Sequence, residues 1–194
     1  TLIGGAVGDA LTDADKNTAV GFTALSSDTL GSQSTAVGYQ ALFSQNFTTA
    51  TDTHNTAVGY NAGSSLVLGS ANTICGSAAL DADTKGHHST AVGFGSLSTQ
   101  NFTTSTDAFN TVGVNALGAA NGAANNNTAV GVQAGASVTT GDNLLLLGVD
   151  AGQTGSPGGA YTTGSNAMTL GDENIANAYI QVDWTVTSDE RDKT

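Results

Sequence analysis

The sequence predicts an all-β fold, a parallel β-solenoid or β-roll built from coils of roughly 17 residues. A short phrase, Asn55-Thr56-Ala57-Val58-Gly59 in its clearest form, recurs from one end of the chain to the other. Repetition at so short a period is the sequence signature of stacked repeat architectures. The composition agrees, because 26 glycines, one proline and only 10% charged residues do not suit a disordered chain, which needs high charge or abundant proline.

The coils can be placed in order from the copies of this phrase. Their first positions are 1, 17, 34, 55, 72, 89, 110, 127, 143 and 166. The spacing is nearly constant, but wider steps lead to positions 55, 110 and 166. One constant shift carries positions 17, 34 and 55 onto positions 72, 89 and 110. This indicates a duplicated three-coil block with further coils appended.

Each phrase is expected to be a short strand followed by a corner. Thr and Val project to one face and Ala to the other, because strand side chains alternate. The glycine after Val suits a corner that needs a positive φ or a close neighbouring backbone. The leading Asn tolerates the left-handed region and its amide can bond to the equivalent Asn one coil away. The residues assigned these structural roles are Asn17, Asn55, Asn72, Asn110, Asn127, Gly21, Gly38, Gly59, Gly76, Gly93 and Gly131.

Both faces of these strands are small or apolar, which predicts an oligomer. The segment 143–148 has four consecutive leucines, and strands buried on both sides have this composition. A thin coil has one interior, so the second apolar face needs a cover, and identical neighbouring chains are the simplest one. Cys75 stands in the Val position of its copy and is expected to be a small buried hydrophobe.

Two sets of aromatic residues stand out. The longer units that end at positions 55 and 110 carry Phe47 and Phe102 in Thr-, Asn- and Gln-rich segments, and insertions in a solenoid commonly bulge from the binding face. These two rings are either surface-loop contacts or, the interpretation favoured here, side chains tucked into a widened coil. Residues that follow the corner glycine are often aromatic, and a structural stack is favoured there over a sugar platform. Those residues are Phe22, Tyr39, Tyr60 and Phe94.

The pattern changes towards the C-terminus. Residues 152–164 are Gly-rich and contain Pro157, which suggests a loop. Residues 178–186 alternate like a strand of another kind, and charge then concentrates from Ser188 onwards. We therefore predict a repeat stalk over 1–171, a connecting strand region over 172–187, and the start of a different domain over 188–194.

The last segment, Ser188-Asp189-Glu190-Arg191-Asp192-Lys193, resembles the opening of the self-cleaving intramolecular chaperone domain of bacteriophage tail fibres and tailspikes. The resemblance implies that Ser188 is a nucleophile, that Lys193 is its base, and that the bond after Ser188 is cut. A serine needs such a base to become nucleophilic, and a desolvated lysine can serve. The similarity covers only this short segment, so we expect no enzymatic turnover beyond a single self-cleavage that requires the whole domain.

The Asn-Thr-Ala-Val-Gly phrases, as at residues 55–59, resemble phage tail-fibre stalks. They are also similar to the head repeats of trimeric autotransporter adhesins, although the coils of this chain are longer than the adhesin repeat. Both relatives imply a homotrimer. The resulting expectation is an extracellular, virion-borne tail-fibre segment that attaches to the host surface. The alternatives are a bacterial adhesin head and a polysaccharide-depolymerising tailspike.

Charge and composition limit the classes of partner that the chain is expected to bind. The net charge of −12 argues against nucleic acid, whose usual footprint is a basic patch. No apolar run approaches the ~20 residues needed to cross a bilayer, so membrane insertion is not expected. No cofactor or metal site is predicted, and one cysteine excludes an internal disulfide framework. The remaining external partner is a host-surface glycan or protein receptor.

Overall fold

The computed structural model describes residues 1–101, 109–120 and 124–177. Within these residues, ten short strands form one parallel sheet in which strand neighbours are also coil neighbours, and a second sheet has two strands. Twelve strands make up these two sheets. They are β1 (Leu2–Ile3), β2 (Thr18–Val20), β3 (Gly31–Ser32), β4 (Thr35–Val37), β5 (Thr51–Asp52), β6 (Thr56–Val58), β7 (Thr73–Cys75), β8 (Thr90–Val92), β9 (Asn110–Val112), β10 (Thr128–Val130), β11 (Leu144–Leu147) and β12 (Ala167–Leu170). The predicted all-β parallel solenoid is confirmed.

The strands stack in a register that places like residues above one another. Ala19 pairs with Ala36, which pairs with Ala57, and these alanines are fully buried. Thr and Val on either side of each alanine point outwards, as in β6, where only Ala57 is buried. The predicted alternation of faces is therefore correct. Nine steps of about 4.8 Å make the stack roughly 43 Å long.

The register of β9 differs from the prediction. Asn110 pairs with Thr90, and Thr111 pairs with Ala91, so the coil that ends there is one residue shorter than predicted. Asn110 lies exposed in the Thr position, and Phe109, fully buried, takes the position that Asn holds elsewhere. The glycine corner explains the shift: Gly113 must stack beside Gly93, and this fixes the strand that precedes it.

The corner glycines form a column of closely approaching backbones. The φ angle is +138° at Gly21 and +144° at Gly59, and a Cβ on Gly21 would lie 2.2 Å from the carbonyl oxygen of Gly38. Both predicted reasons for glycine therefore apply, the positive φ and the close neighbour. The left-handed residue at the other corner is not the Asn, however. It is the residue before it, as at Lys16 and His54, so this part of the prediction is wrong for Asn17 and Asn55.

Large and small side chains complement each other in the coil interior. Ala79 and Leu80 after the corner are buried, like Ala41 and Leu42 two coils earlier. Gly63 replaces this Leu in the coil between, and a Cβ there would lie 2.8 Å from the Cδ1 atom of Ile74. Ile74, in the next strand, stands in the inward position that is Ala in both neighbouring strands. A large strand residue thus compensates for a small corner residue.

Candidate functional surfaces

The Asn side chains join successive coils through their backbones. The amide nitrogen of Asn72 donates to the carbonyl of Gly86 (2.9 Å), and its oxygen accepts from the backbone N–H of Ser89 (2.8 Å). Asn17, Asn55 and Asn127 make the equivalent pairs of bonds. The predicted Asn–Asn bond is found from Asn72 to Asn55 (3.2 Å). These four Asn side chains therefore hold successive coils together, and we call them the Asn staples.

A buried polar network fills the first of the longer coils. Asp28 Oδ1 accepts hydrogen bonds from the backbone N–H groups of Gly31 (3.1 Å) and Phe47 (3.0 Å), and its Oδ2 accepts one from Gln45 Nε2 (2.6 Å). Gln45 Oε1 in turn accepts a bond from Asn55 Nδ2 (2.9 Å). This network was not predicted from the sequence. Its signal was available as the pair Asp28 and Gln45, which returns in the second block as Asp83 and Gln100.

Phe47 is not displayed on the surface. It is only 7% exposed, and its backbone N–H is bound to the buried Asp28 carboxylate. Its position agrees with the interpretation that the longer segment widens the coil, and not with a surface-loop contact. Phe102, the corresponding residue of the second block, lies outside the described residues.

The outward-facing Val positions form an unbroken apolar column along the sheet. We call it the valine column; pairing of the strands defines its members. They are Ile3, Val20, Val37, Val58, Cys75, Val92, Val112, Val130, Leu147 and Leu170. Val112 is 45% exposed, and Cys75 is exposed. The prediction of a buried Cys75 is wrong for the single chain, because the Val position points away from the coil interior.

A second outer column, the ring column, follows the corner glycines. Its members between the second and eighth corners are Phe22, Tyr39, Tyr60, Ser77, Phe94, Val114 and Val132. The rings of Phe22 and Tyr39 are stacked with centroids 5.8 Å apart, and those of Tyr39 and Tyr60 with centroids 5.1 Å apart. The predicted structural stack is confirmed for these three rings. The faces within this stack cover one another, so Tyr39, which has a ring on both sides, offers only its edges and no flat sugar platform.

Two of the described carboxylates are held inside the coil. Asp28 and Asp83 are fully buried, and the carboxylates of both accept hydrogen bonds within the coil. Burial raises the pKa of Asp81, whose Oδ1 accepts no hydrogen bond from the described residues. In the part of the chain that is described, no group of three or more His, Cys, Asp or Glu side chains is placed to hold a metal ion.

The proposed cleavage residues Ser188 and Lys193 lie outside the described residues. No family model, curated protein or solved structure matches the chain. Among residues 1–101, 109–120 and 124–177, no helix is long and apolar enough to span a membrane. The two outer columns are therefore the features on which a function can be argued.

Proposed function

We propose that this chain is a shaft segment of a bacteriophage tail fibre, assembled as a homotrimer and used in attachment to the host surface. The observation that carries the proposal is the valine column. It runs over all ten strands of the main sheet, and soluble monomers rarely leave a continuous apolar patch of this length in water.

Identical chains are a natural cover for such a column. A parallel copy presents the same residues at the same spacing of about 4.8 Å along its axis, so in-register copies match coil by coil. The net charge of −12 is carried mainly outside the column and keeps the remaining surface soluble. The number three is taken from the resemblance of the repeats to trimeric fibres.

The shaft would act through its geometry. Each coil is tied to the next by parallel ladder bonds and stacked corners, as where the N–H of Gly38 donates to the carbonyl of Val20 at 2.8 Å. Asn staples add to these bonds at Asn17, Asn55, Asn72 and Asn127. Such a stack resists bending and holds a receptor-binding part at a distance. The C-terminal Ser188 to Lys193 segment would begin the chaperone that sets the register of the three chains before it is cut away.

Expression of the whole gene tests this proposal. We expect the product to be cut after Ser188 and the released fibre part to have the mass of three chains. The Ser188→Ala variant should stay uncut and still assemble, because the hydroxyl is needed for cleavage and not for folding. Full-length product from both genes would contradict the chaperone assignment, and a gene that continues into a coiled coil and a membrane anchor would favour the adhesin alternative.

A further inference from the structure

The ring column is interrupted at one coil. Backbone bonds run from Ala78 to Tyr60 (2.9 Å) and from Gly95 to Ser77 (3.1 Å), so Tyr60, Ser77 and Phe94 occupy the same position in three consecutive coils. Ser77 stands where the stack would continue with another ring. The gap between Tyr60 and Phe94 is therefore one ring wide, and it is named here the Ser77 slot.

The width of the Ser77 slot follows from the coil spacing. Rings one coil apart have centroids 5.1 and 5.8 Å apart. Tyr60 and Phe94 are two coils apart, which places their rings about 10 Å from each other. A flat aromatic ring between them would need only about 7–8 Å, at roughly 3.5–4.0 Å from each face. A flat ring midway would lie about 5 Å from each neighbour, as in the existing stack, whereas a thicker, puckered ring would contact both faces.

Side-chain exposure supports an open slot. Tyr39, which has a ring on both sides, is 41% exposed, whereas Tyr60 is 56% and Phe94 is 58% exposed. Both rings that border position 77 are thus more exposed than the ring with two ring neighbours. The residues beside the slot are also small, since Ala78 follows Ser77 and Gly95 follows Phe94.

We propose that the Ser77 slot binds one pyranose ring of a neutral polysaccharide, held between the rings of Tyr60 and Phe94. The axial C–H groups of a pyranose carry a weak positive charge and are attracted to the negative face of an aromatic ring. The slot has two such faces at a suitable distance. This inference rests on the adhesive role in the proposed function for the source of the sugar, a host-surface glycan.

Polar groups at the slot agree with a sugar ligand. Ser77 and Tyr60 supply hydroxyl groups that can donate and accept hydrogen bonds. The net charge of −12 selects a neutral sugar over an anionic one.

The test is titration with hexamers of β-1,4-glucose, α-1,4-glucose and β-1,4-N-acetylglucosamine, followed by saturation-transfer NMR and calorimetry. We expect at least one hexamer to bind and its ring C–H protons to receive the saturation. Ser77→Phe places the missing ring in the slot and should reduce affinity by about tenfold or more. Ser77→Ala, which keeps the slot open, should bind within about threefold of the original chain.

Three results would overturn the inference: no binding by any hexamer, equal binding by Ser77→Phe, or binding of a flat aromatic probe such as indole without binding of any sugar. Because Ser77→Phe extends an existing stack, it should fold at least as well as the original chain, and its melting temperature checks this. The molar mass of the same samples separates the two proposals. A trimer that ignores sugars contradicts the slot alone, and a monomer that binds them contradicts the fibre assembly alone.

Discussion

The corner glycines set how closely successive coils can approach. Gly59 has φ +144°, and a Cβ on it would lie 2.5 Å from the carbonyl oxygen of Gly76. A methyl group there must push two coils apart, because neither backbone has an alternative position. The column is thus a steric requirement at each coil and not only a turn preference.

We predict that Gly59→Ala lowers the free energy of unfolding by about 3 kcal/mol or more, because the clash adds to the conformational strain. Gly159→Ala is the control. Its φ is +77°, but nothing lies within 4 Å of the added methyl group, so only a cost of about 1–2 kcal/mol is expected. Urea unfolding followed by circular dichroism measures both, and equal losses would contradict the steric explanation.

The Asn staples stabilise the stack through hydrogen bonds to buried backbone groups. Asn72→Ala leaves the N–H of Ser89 and the carbonyl of Gly86 without the side-chain partner each has now, and an unpaired buried group costs about 1–3 kcal/mol. We therefore expect a loss of about 2–4 kcal/mol. Asn110→Ala is the matched control: Asn110 belongs to the same phrase in the sequence but is exposed, so its loss should stay within about 0.5 kcal/mol. Equal losses would show that the register of β9 is wrong.

Asp81 makes the free energy of unfolding depend on pH. Burial raises its pKa above the usual 3.8, so the folded chain favours the protonated form. Its stabilising contribution is complete below the unfolded-state pKa and is lost as the pH rises through the folded-state pKa. Asp81→Asn should therefore gain stability over the original chain at neutral pH and lose this advantage once the pH falls below the usual pKa of an aspartate. Urea midpoints under both conditions test this, and an advantage that grows on acidification would contradict it.

At the scale of the elements, each corner residue is balanced against the inward residue of the next strand. Gly63 with Ile74 is one solution, and other coils use Leu with Ala: Leu42 precedes Ala57, and Leu80 precedes the next inward alanine, all of them fully buried. Leucine is tolerated at this corner, since Leu42 and Leu80 both have a φ angle of +50°. The two positions should therefore be coupled.

We predict a strongly non-additive double-mutant cycle. Gly63→Leu alone clashes with Ile74, and Ile74→Ala alone leaves a cavity worth about 2–5 kcal/mol. The double variant restores the Leu-with-Ala arrangement of the other coils, so it should recover about 2 kcal/mol or more relative to the sum of the single changes. Additive losses in the unfolding free energy would show that the two side chains do not share one space.

Much of the element structure could be predicted from the sequence. The residue types of the strand, including the inward Ala, and of the corner glycine recur at a regular spacing in the sequence. The fold class and the alternation of faces could therefore be predicted from this periodicity. The register of β9 did not, because Asn110-Thr111-Val112-Gly113 matches the phrase by its first letter while the geometry aligns it by its glycine. The buried Asp28–Gln45 pair recurs in the sequence as Asp83 and Gln100. Its hydrogen bonds and the β3–β5 sheet nevertheless depend on contacts between coils, which the repeat of residue types does not show.

For the whole molecule, the state of assembly depends on what covers the valine column. The inner face of the sheet is closed by the chain itself, with Ala57 and Ala129 fully buried. The outer face is not, and the chain alone leaves Val58 and Val130 exposed. The sequence predicted that both faces of the strands are apolar. The proposed number of copies comes instead from the resemblance of the repeats to trimeric fibres.

The molar mass of residues 1–194 in solution, measured by light scattering over a range of concentrations, tests this claim most directly. We predict three times the chain mass of 19.1 kDa, and dissociation when Val58→Asp and Val112→Asp place charges in the column. The matched changes Thr56→Asp and Asn110→Asp, in the Thr positions of the same two strands and outside the column, should dissociate it less. A stable monomer of 19.1 kDa with the full β-sheet signal would contradict the account.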